Sequence, residues 1–407
     1  MLQADVGIIG AGPSGLAAAI AAGRDGESVI LLEKMGQVGK RLLSTGNGRC
    51  NLMNLHPSPY TGDSAFAEAV MGSDPVAELT AFWDSLGLYL RYDSEGRGYP
   101  CTFMAATVME VLKAELKRLN VEIRTGAAVQ HLEKVQHDFL LRHENGTSIS
   151  TGRVIVATGG TAQPKLGGND SAWSWLKQMG HEMIPARPAL VPLRTDARSI
   201  GGLAGMRVKC QISLERDGKP LHEERGELLF TERGISGICV MQCSRFLPPD
   251  GKALCRVNLV PDLFPDRRAV YEELIRRQQA MPEAEPVSLL LGLCASKIGY
   301  AVCKQAGLAL RGEKAAELSA AQIESMAGAL TGYRIQVSGP EGMDRAQVMS
   351  GGVDCVCIRP DNMESLLCSG LHITGELLNV DGDCGGYNLM FAFLSGLRAG
   401  KNRRQAE

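Results

Sequence analysis

The chain has 407 residues, 44% of them apolar and 22% charged, which excludes both a single small module and extensive disorder. Its 43 basic and 45 acidic residues give a net charge of −2, so the chain lacks the overall positive charge of nucleic-acid-binding proteins. The basic tail formed by Lys401, Arg403 and Arg404 is too short to change this balance. Glycine is abundant, with 48 residues, as is typical of cofactor-binding α/β proteins with many tight turns.

The beginning of the chain leads directly into an apolar segment, without a basic region or an Ala-x-Ala-like cleavage site. We therefore expect no signal peptide, and no apolar run approaches the ~18 residues that a membrane helix needs. The twelve cysteines are scattered and form no Cys-x-x-Cys motif, which predicts reduced thiols in a cytoplasmic protein. Cys239 and Cys243 could share one face of a helix, where we expect core packing rather than metal binding.

The first 33 residues predict a βαβ unit, with strands at 5–9 and 28–33 and a helix at 16–24. Residues 35–59 are rich in Gly, Asn, Ser and Pro, which predicts a long loop with a functional role. Further along, the spacing predicts helices at 74–86 and 104–119, then strands at 121–124, 127–133, 139–143 and from 153, the last ending in a glycine turn at 157–160.

Beyond residue 191 the pattern changes to alternation of apolar and polar residues, typical of antiparallel strands. Asp217-Gly218 predicts a hairpin turn. The elements predicted after residue 191 are strands at 208–214, 227–230, 237–241, 254–259, 334–337, 347–350 and 370–376, and helices at 267–280, 287–293, 296–306, 320–330 and 386–399. We therefore predict a dinucleotide-binding domain at 1–191 and 343–407, interrupted by an insert domain at 192–342 that is β-rich at 192–262 and 333–342 and helical at 263–332.

The motif Gly10-x-Gly12-x-x-Gly15 follows a predicted strand and opens a predicted helix. In this context the three glycines allow a tight turn, close approach of the backbone to a pyrophosphate, and close helix–strand packing. The free N–H groups at the start of the helix would face the phosphates. Glu33 ends the second strand, where an acid can accept hydrogen bonds from ribose hydroxyls. We therefore predict dinucleotide binding. For Lys34 we favour a solvated surface charge over a ribose ligand.

This motif does not distinguish FAD from NAD(P), but three other segments favour FAD. Ala157-Thr158-Gly159-Gly160 is a turn after an apolar strand, of the kind that flavoproteins place against the cofactor. The loop at 39–51 supplies hydroxyl, amide and cationic donors within one run. In the third segment, 374–388, an acid could hold a ribityl hydroxyl, and glycines open the final helix so that its positive end could face the flavin.

These segments, together with those at 188–193, 226–237 and 375–388, resemble the BaiN/YhiN-like family of FAD-binding flavoproteins over essentially the whole chain. The resemblance implies an α/β fold, with a Rossmann-like FAD-binding domain of the two-dinucleotide-binding type and an inserted domain that is partly β-barrel-like and partly helical. The chain departs from the family pattern at 101–104, at 169–172 and at Met390, which leaves the substrate open.

The motifs and the resemblance together indicate a set of candidate cofactor-binding residues. These are Gly10, Gly12, Pro13, Ser14, Gly15, Glu33, Lys34, Lys40, Arg41, Ser44, Asn47, Gly48, Cys50, Asn51, Val129, Ala157, Thr158, Gly159, Gly160, Gly375, Glu376, Asp383, Gly386, Tyr387 and Asn388. No metal site is predicted. We expect the FAD to be held non-covalently.

The resemblance implies an oxidoreductase that reduces a C=C bond conjugated to a ketone in a bile-acid- or steroid-like substrate. With no second glycine motif, NAD(P)H would visit the flavin only transiently. Tyr387 is a candidate proton donor, and Arg49 could polarise a carbonyl or bind a carboxylate. A redox pair of Cys50 with Cys384 is a weaker alternative, and His372 is expected in the core.

Three other functions remain open: an oxidase of a small amine or ketone, a non-catalytic FAD-binding or electron-carrier protein, and a flavin-dependent tRNA-modifying protein. The net charge of −2 argues against the last. We predict a small-molecule substrate, no nucleic-acid or membrane partner, and a monomer or homodimer. We also expect the insert at 192–342 to cap the flavin ring, because the chain leaves and returns beside predicted cofactor segments.

Overall fold

The computed structural model describes residues 2–143, 146, 148–309 and 312–401, so Arg403 and Arg404 of the basic tail lie outside it. The chain divides into two compact units. The first comprises the residues up to 188 together with those from 347 onward, and the second comprises residues 189–346. These boundaries lie within four residues of the predicted ones, at 191/192 and 342/343.

The strands of the described residues are β1 (Leu2–Ile9), β2 (Val29–Glu33), β3 (Met53–Asn54), β4 (Thr61–Gly62), β5 (Leu90–Tyr92), β6 (Arg97–Pro100), β7 (Glu122–Thr125), β8 (Val129–Val135), β9 (Asp138–His143), β10 (Ser148–Val156), β11 (Met183–Ala189), β12 (Leu193–Thr195), β13 (Arg207–Arg216), β14 (Lys219–Phe230), β15 (Gly234–Ser236), β16 (Ala253–Asn258), β17 (Tyr333–Pro340), β18 (Val348–Val353), β19 (Leu371–Ile373) and β20 (Val380–Asp381).

The α-helices of the same residues are α1 (Pro13–Arg24), α2 (Ser64–Met71), α3 (Pro75–Ser85), α4 (Ala105–Arg118), α5 (Ser171–Gln178), α6 (Ala197–Ile200), α7 (Ile238–Cys243), α8 (Arg267–Ala280), α9 (Ser296–Gln305), α10 (Ala320–Thr331) and α11 (Tyr387–Gly400). None of the described helices is both long and apolar enough to cross a bilayer.

A seven-stranded sheet organises the first unit, in the order β7-β2-β1-β10-β9-β8, with β19 also paired to β10. Strands β7, β2, β1, β10 and β19 run parallel, whereas β8 and β9 form an antiparallel extension. Helix α11 packs closely on α1, since a Cβ on Gly396 would lie 2.2 Å from the Ser14 carbonyl oxygen. Because β7, β2, β1, β10 and β19 are parallel, their carboxyl ends lie at the same edge of the sheet, which is where nucleotide ligands bind in such folds.

The second unit contains a closed barrel of six strands in the order β12-β15-β14-β13-β16-β17. Its hairpin between β13 and β14 turns at Asp217 and Gly218, whose φ angles of 51° and 75° are those of a type I′ turn. Alternating residues of β13, including Cys210, Ile212 and Leu214, are buried in the core of this unit. The predicted α/β fold, with a Rossmann-like domain and an inserted β-barrel, is thereby confirmed.

Three element predictions differ from the structure. Residues 237–241, predicted as a strand, form the N-cap and first turn of α7 instead. Gly237, with a φ of +106°, precedes the helix, which buries Cys239, Val240 and Cys243. Residues 287–293, predicted as an α-helix, form only a 3₁₀ turn at Pro286–Leu290. The strand predicted at 370–376 ends at Ile373 and is followed by a 3₁₀ turn.

Other elements carried no sequence prediction. The loop at 35–59 contains a kinked 3₁₀ segment, Leu42–Gly48, and the short strand β3. Helices α2 and α5 are each eight residues long, which is too short for their apolar residues to show a clear helical period. Among the described residues, no three His, Cys, Asp or Glu side chains form a group that could hold a metal ion.

Candidate functional site

The turn between β1 and α1 is built from three glycines with different roles. Gly10 has a φ of +104°, and a Cβ there would lie 2.4 Å from the Ala157 carbonyl oxygen. A Cβ on Gly15 would lie 1.9 Å from the Gly10 carbonyl oxygen, so any side chain at this position would clash with the turn. In contrast, a Cβ on Gly12 would meet no protein atom within 4 Å. The chain therefore borders open space at Gly12, immediately before Pro13 and the start of α1, as a phosphate site requires, whereas the predicted residue Ser14 is buried.

Glu33 fixes this turn to the end of β2. Its Oε2 accepts a hydrogen bond from the Ala11 N–H at 2.9 Å, and its Oε1 accepts one from the Met35 N–H at 2.8 Å. Each carboxylate oxygen can still accept another bond, so the side chain can also serve a ribose hydroxyl. Val129, at the start of β8, lies close to this point, since the Ala127 N–H donates to the Glu33 carbonyl. Lys34 is exposed.

The turn at 157–160 lies beside the glycine turn, because the Ala157 N–H donates to the Ile9 carbonyl. Thr158 Oγ1 is buried and has no hydrogen-bond partner in the protein. Gly159 has a φ of +70°, and a Cβ on Gly160 would lie 3.0 Å from Glu376 Oε1. We call the region formed by residues 10–15, Glu33 and residues 157–160 the α1 end of the site.

Arg41 and Glu376, both predicted at the cofactor, are paired with each other. Arg41 Nη1 lies 2.6 Å from Glu376 Oε2, Nη2 lies 2.9 Å from Oε1, and each side chain is 20% exposed. Arg41 also donates to the Gln347 carbonyl, and the Met349 N–H donates to Glu376 Oε1. The pair therefore joins the loop at 39–51 to the 375–377 turn and to the segment where the chain re-enters the first unit. Sequence reasoning missed Gln347 and Met349, because no motif marks backbone groups that bind a distant ion pair.

The remainder of this loop contains two non-glycine residues in the left-handed backbone conformation. Asn47 and Cys50 have φ angles of 54° and 58°, although neither is glycine. Burial raises the pKa of the Cys50 thiol to about 12, so this cysteine is an inert thiol at neutral pH. Lys40 Nζ donates to the Lys165 carbonyl. The predicted residues Ser44, Asn47, Gly48 and Arg49 are exposed.

The second part of the site lies where α11 begins. A Cβ on Gly386 would lie 2.6 Å from the Met53 carbonyl oxygen and 2.9 Å from Asn51 Oδ1. Asn51 Oδ1 is buried without a hydrogen-bond partner, and Asn54 Nδ2 donates to the Gly385 carbonyl at 3.1 Å. We call residues 50–54 with 382–388 the α11 end of the site. Asn54 carried no sequence signal, because its role depends on pairing between β3 and β6.

Two predicted residues of the α11 end, Asn388 and Asp383, bind neighbouring protein groups. Asn388 accepts from the Gly382 N–H and donates to the Gly382 carbonyl, each at 2.8 Å, so its amide holds the 382–383 turn. Asp383 accepts a hydrogen bond from the Ser58 hydroxyl. Burial, and secondarily the charge of Asp383, raise the pKa of Tyr387, which therefore stays protonated at neutral pH. His372, as predicted, is buried, and its Nδ1 lies 2.9 Å from the Asn362 carbonyl.

Comparison with known proteins adds to this geometry. The family model described as the HI0933-like protein Rossmann domain matches residues 4–402. The chain belongs to this family. This HI0933-like chain is 36% identical over 405 residues to the 3-dehydro-bile acid delta(4,6)-reductase of Clostridium scindens, covering 97% of this chain and 98% of that protein. The BaiN/YhiN-like resemblance and the predicted enzyme class, an FAD-dependent oxidoreductase, are thereby confirmed.

Other relatives of this HI0933-like chain carry a different name. It is 31% identical over 398 residues to the ribosomal RNA dihydrouridine synthase of Haemophilus influenzae, covering 95% of both proteins, and 28% identical over 401 residues to that of Escherichia coli, covering 97% and 96%. Among solved structures, an open flavocytochrome c3 fumarate reductase covers 98% of this chain and 78% of its own, with a TM-score of 0.50 and 16% identity. This last likeness concerns the fold alone.

The geometry of the HI0933-like site fits FAD. The open space at Gly12 and the free helix start suit a pyrophosphate. Two buried polar atoms, Thr158 Oγ1 and Asn51 Oδ1, lack partners, one in each end of the site. Each of these two oxygen atoms is therefore available for a hydrogen bond with a polar ligand, although eight other buried polar atoms of the described residues also lack partners.

Proposed function

We propose that this protein is an FAD-dependent reductase of a C=C bond conjugated to a ketone, in a substrate of the bile-acid or steroid class. The observation that carries this proposal is the 36% identity, over 97% of this chain, to a protein named as a bile-acid reductase. NAD(P)H is the proposed electron donor and visits the site only transiently.

The α1 end would hold the pyrophosphate at the start of α1, and Glu33 would hold the adenosine ribose. The Thr158 hydroxyl would form one hydrogen bond with FAD and Asn51 Oδ1 would accept one, because these buried oxygen atoms lack partners in the protein. FAD bound there supplies hydride transfer to one carbon of an activated double bond. The cofactor is proposed to be non-covalent, so acid denaturation should release all of the yellow colour from the chain.

The protein groups have separate tasks in such a reduction. Tyr387 keeps its proton at neutral pH and opens α11, so it is our candidate to protonate the second carbon of the double bond. Arg49 is exposed and is our candidate to bind an anionic group of the substrate. Asn388 positions the turn before α11 rather than meeting the substrate directly.

A second candidate is the reduction of uridine in ribosomal RNA, favoured by two relatives named as dihydrouridine synthases. The chemistry is closely related, because the reduced bond of uridine is also conjugated to a carbonyl. The net charge of −2 argues against an extended RNA-binding surface. On the barrel unit, exposed arginines such as Arg207, Arg216 and Arg225 are paired with carboxylates, which leaves less positive charge for phosphates.

Anaerobic kinetics with the purified yellow protein test the proposal. Reduction of the flavin by NADH or NADPH, followed by re-oxidation with a 3-oxo-Δ4 bile acid and formation of the saturated ketone, is the expected result. Re-oxidation by an unmodified rRNA transcript instead would support the second candidate. Turnover with O₂ and a small amine or ketone would indicate an oxidase. Reduction by neither nucleotide would favour an electron carrier.

A further inference from the structure

The three-stranded sheet β3-β6-β5 joins the α11 end of the site to an exposed aromatic surface. Asn54, which binds the Gly385 carbonyl, is paired in register with Arg97 on β6. Tyr99 lies two residues beyond Arg97, so its side chain is on the same face of the sheet, about 7 Å further along. That face therefore continues directly from the α11 end toward Tyr99.

Phe103 extends this face. Its ring lies 5.7 Å from that of Tyr99, centroid to centroid, with the planes tilted by 38°. Phe103 is 42% exposed and has a φ of 53°, a conformation that aromatic residues rarely adopt. The Phe103 N–H donates to the Pro100 carbonyl, which fixes the turn that presents the ring. A strained backbone that exposes a large apolar ring is a feature found at ligand-binding sites.

Arg49 supplies a charge at the same place. It is exposed, it forms no ion pair with a carboxylate of the described residues, and it lies three residues before Leu52, whose N–H donates to the carbonyl of Gly98, the neighbour of Tyr99. Arg97, in contrast, is neutralised by Asp93 at 2.8 Å and Glu95 at 3.0 Å. The surface formed by Arg49, Tyr99 and Phe103, which we call the aromatic surface, thus combines two rings with a cation. Exposed Arg91, the cross-strand partner of Tyr99 on β5, adds a second positive charge beside it.

Resting on the proposed function, we infer that the aromatic surface is the substrate-docking site, which takes a flat polycyclic enone with an anionic side chain. The fused rings lie against Tyr99 and Phe103, and Arg49 binds the carboxylate of the side chain. Asp93 and Glu95 on the same hairpin place two negative charges beside the one positive charge of Arg97. A ligand with a single carboxylate is therefore repelled less than an RNA strand, which carries a phosphate at every nucleotide.

The test uses the holoenzyme and two ligands that differ in one charge: a 3-oxo-Δ4 bile acid and its methyl ester. Kd is measured from the change in flavin absorbance, and KM from anaerobic turnover. Arg49→Gln should raise Kd and KM about tenfold for the acid and leave those for the ester within twofold. Phe103→Asn should raise both constants about tenfold for both ligands, since asparagine tolerates a positive φ but offers no ring.

Matched controls are Arg142→Gln, an exposed arginine on β9, and Val356→Asn, an apolar side chain that is 78% exposed. Neither should change Kd or KM, and flavin content and melting temperature should match the wild type in all four variants. If Arg49→Gln and Phe103→Asn leave both constants unchanged while the wild type turns over the acid, the docking inference is overturned and the proposed function stands.

Two further outcomes separate the inference from the proposed function. Binding of the acid that depends on Arg49, without any turnover, would support the docking site and refute the reductase. Failure of the acid and ester to bind, with turnover of an rRNA transcript that depends on Phe103, would overturn the inference and assign the aromatic surface to a stacked base.

Discussion

The two ends of the candidate site are built by different means. At the α1 end the backbone of two glycine turns forms most of the site, and a Cβ on Gly12 would meet no protein atom within 4 Å. At the α11 end, side chains from two distant segments, 50–54 and 382–388, meet the backbone, and asparagines hold the turns. A site made of backbone tolerates few residue types, whereas one made of side chains depends on which distant segments pack together. The first is therefore visible as a motif, and the second is not.

This comparison predicts that substituting two glycines of the same motif has different effects, one on FAD binding and the other on stability. Gly12→Val should keep the fold, because φ is −80° and ψ is −175° and the Cβ meets no protein atom, but it should abolish FAD binding. Gly15→Val should destabilise the protein by more than about 4 kcal/mol, since its Cβ overlaps the Gly10 carbonyl. Flavin content and thermal unfolding of both variants measure the difference.

Gly36→Val is the control for these substitutions, because this exposed position also has free space around its Cβ. It should retain FAD and wild-type stability. Normal flavin content in Gly12→Val would refute the assignment of the phosphate site to the start of α1.

At the α11 end the largest effect is expected from Tyr387→Phe. If this tyrosine donates the proton, kcat should fall by about 10²–10⁴, with FAD content unchanged. Because burial raises its pKa, the wild-type rate should stay level as pH rises to about 10 and fall only above that value. A wild-type kcat in the phenylalanine variant would assign the ring to packing over Gly385.

Arg41 and Glu376 lie beside the 157–160 turn of the α1 end, and a double-mutant cycle measures what they contribute. Arg41→Gln or Glu376→Gln should each cost about 1–3 kcal/mol, because the partner is left half-buried and unpaired. The double variant should cost less than the sum of the two. Additive costs combined with a loss of flavin in each single variant would show that both side chains bind FAD directly instead.

The same contrast explains what the sequence could predict. The βαβ unit, the Asp217-Gly218 turn and the alternating strand β13 follow from local patterns, and the structure contains all three. Helix α7 was mistaken for a strand because its residues favour strands locally, and only packing of Cys239 and Cys243 into the core of the second unit makes them helical. The pairing of Arg41 with Glu376 joins residues 335 positions apart, which no local pattern encodes.

The smallest expected effect concerns two of the four threonines in the described residues whose buried hydroxyls lack hydrogen-bond partners. Thr158 Oγ1 lies in the α1 end, whereas Thr151 Oγ1 lies within β10, next to Gly7. Replacing either with valine removes an unsatisfied buried hydroxyl, so the unfolding free energy of the apoprotein should stay level or rise by about 1 kcal/mol. Only Thr158→Val should weaken FAD binding, by about fivefold to tenfold, which corresponds to one lost hydrogen bond. Equal FAD affinity in the two variants, measured by titrating apoprotein with FAD, would mean that Thr158 does not touch the cofactor and that the unpartnered atom is a packing defect.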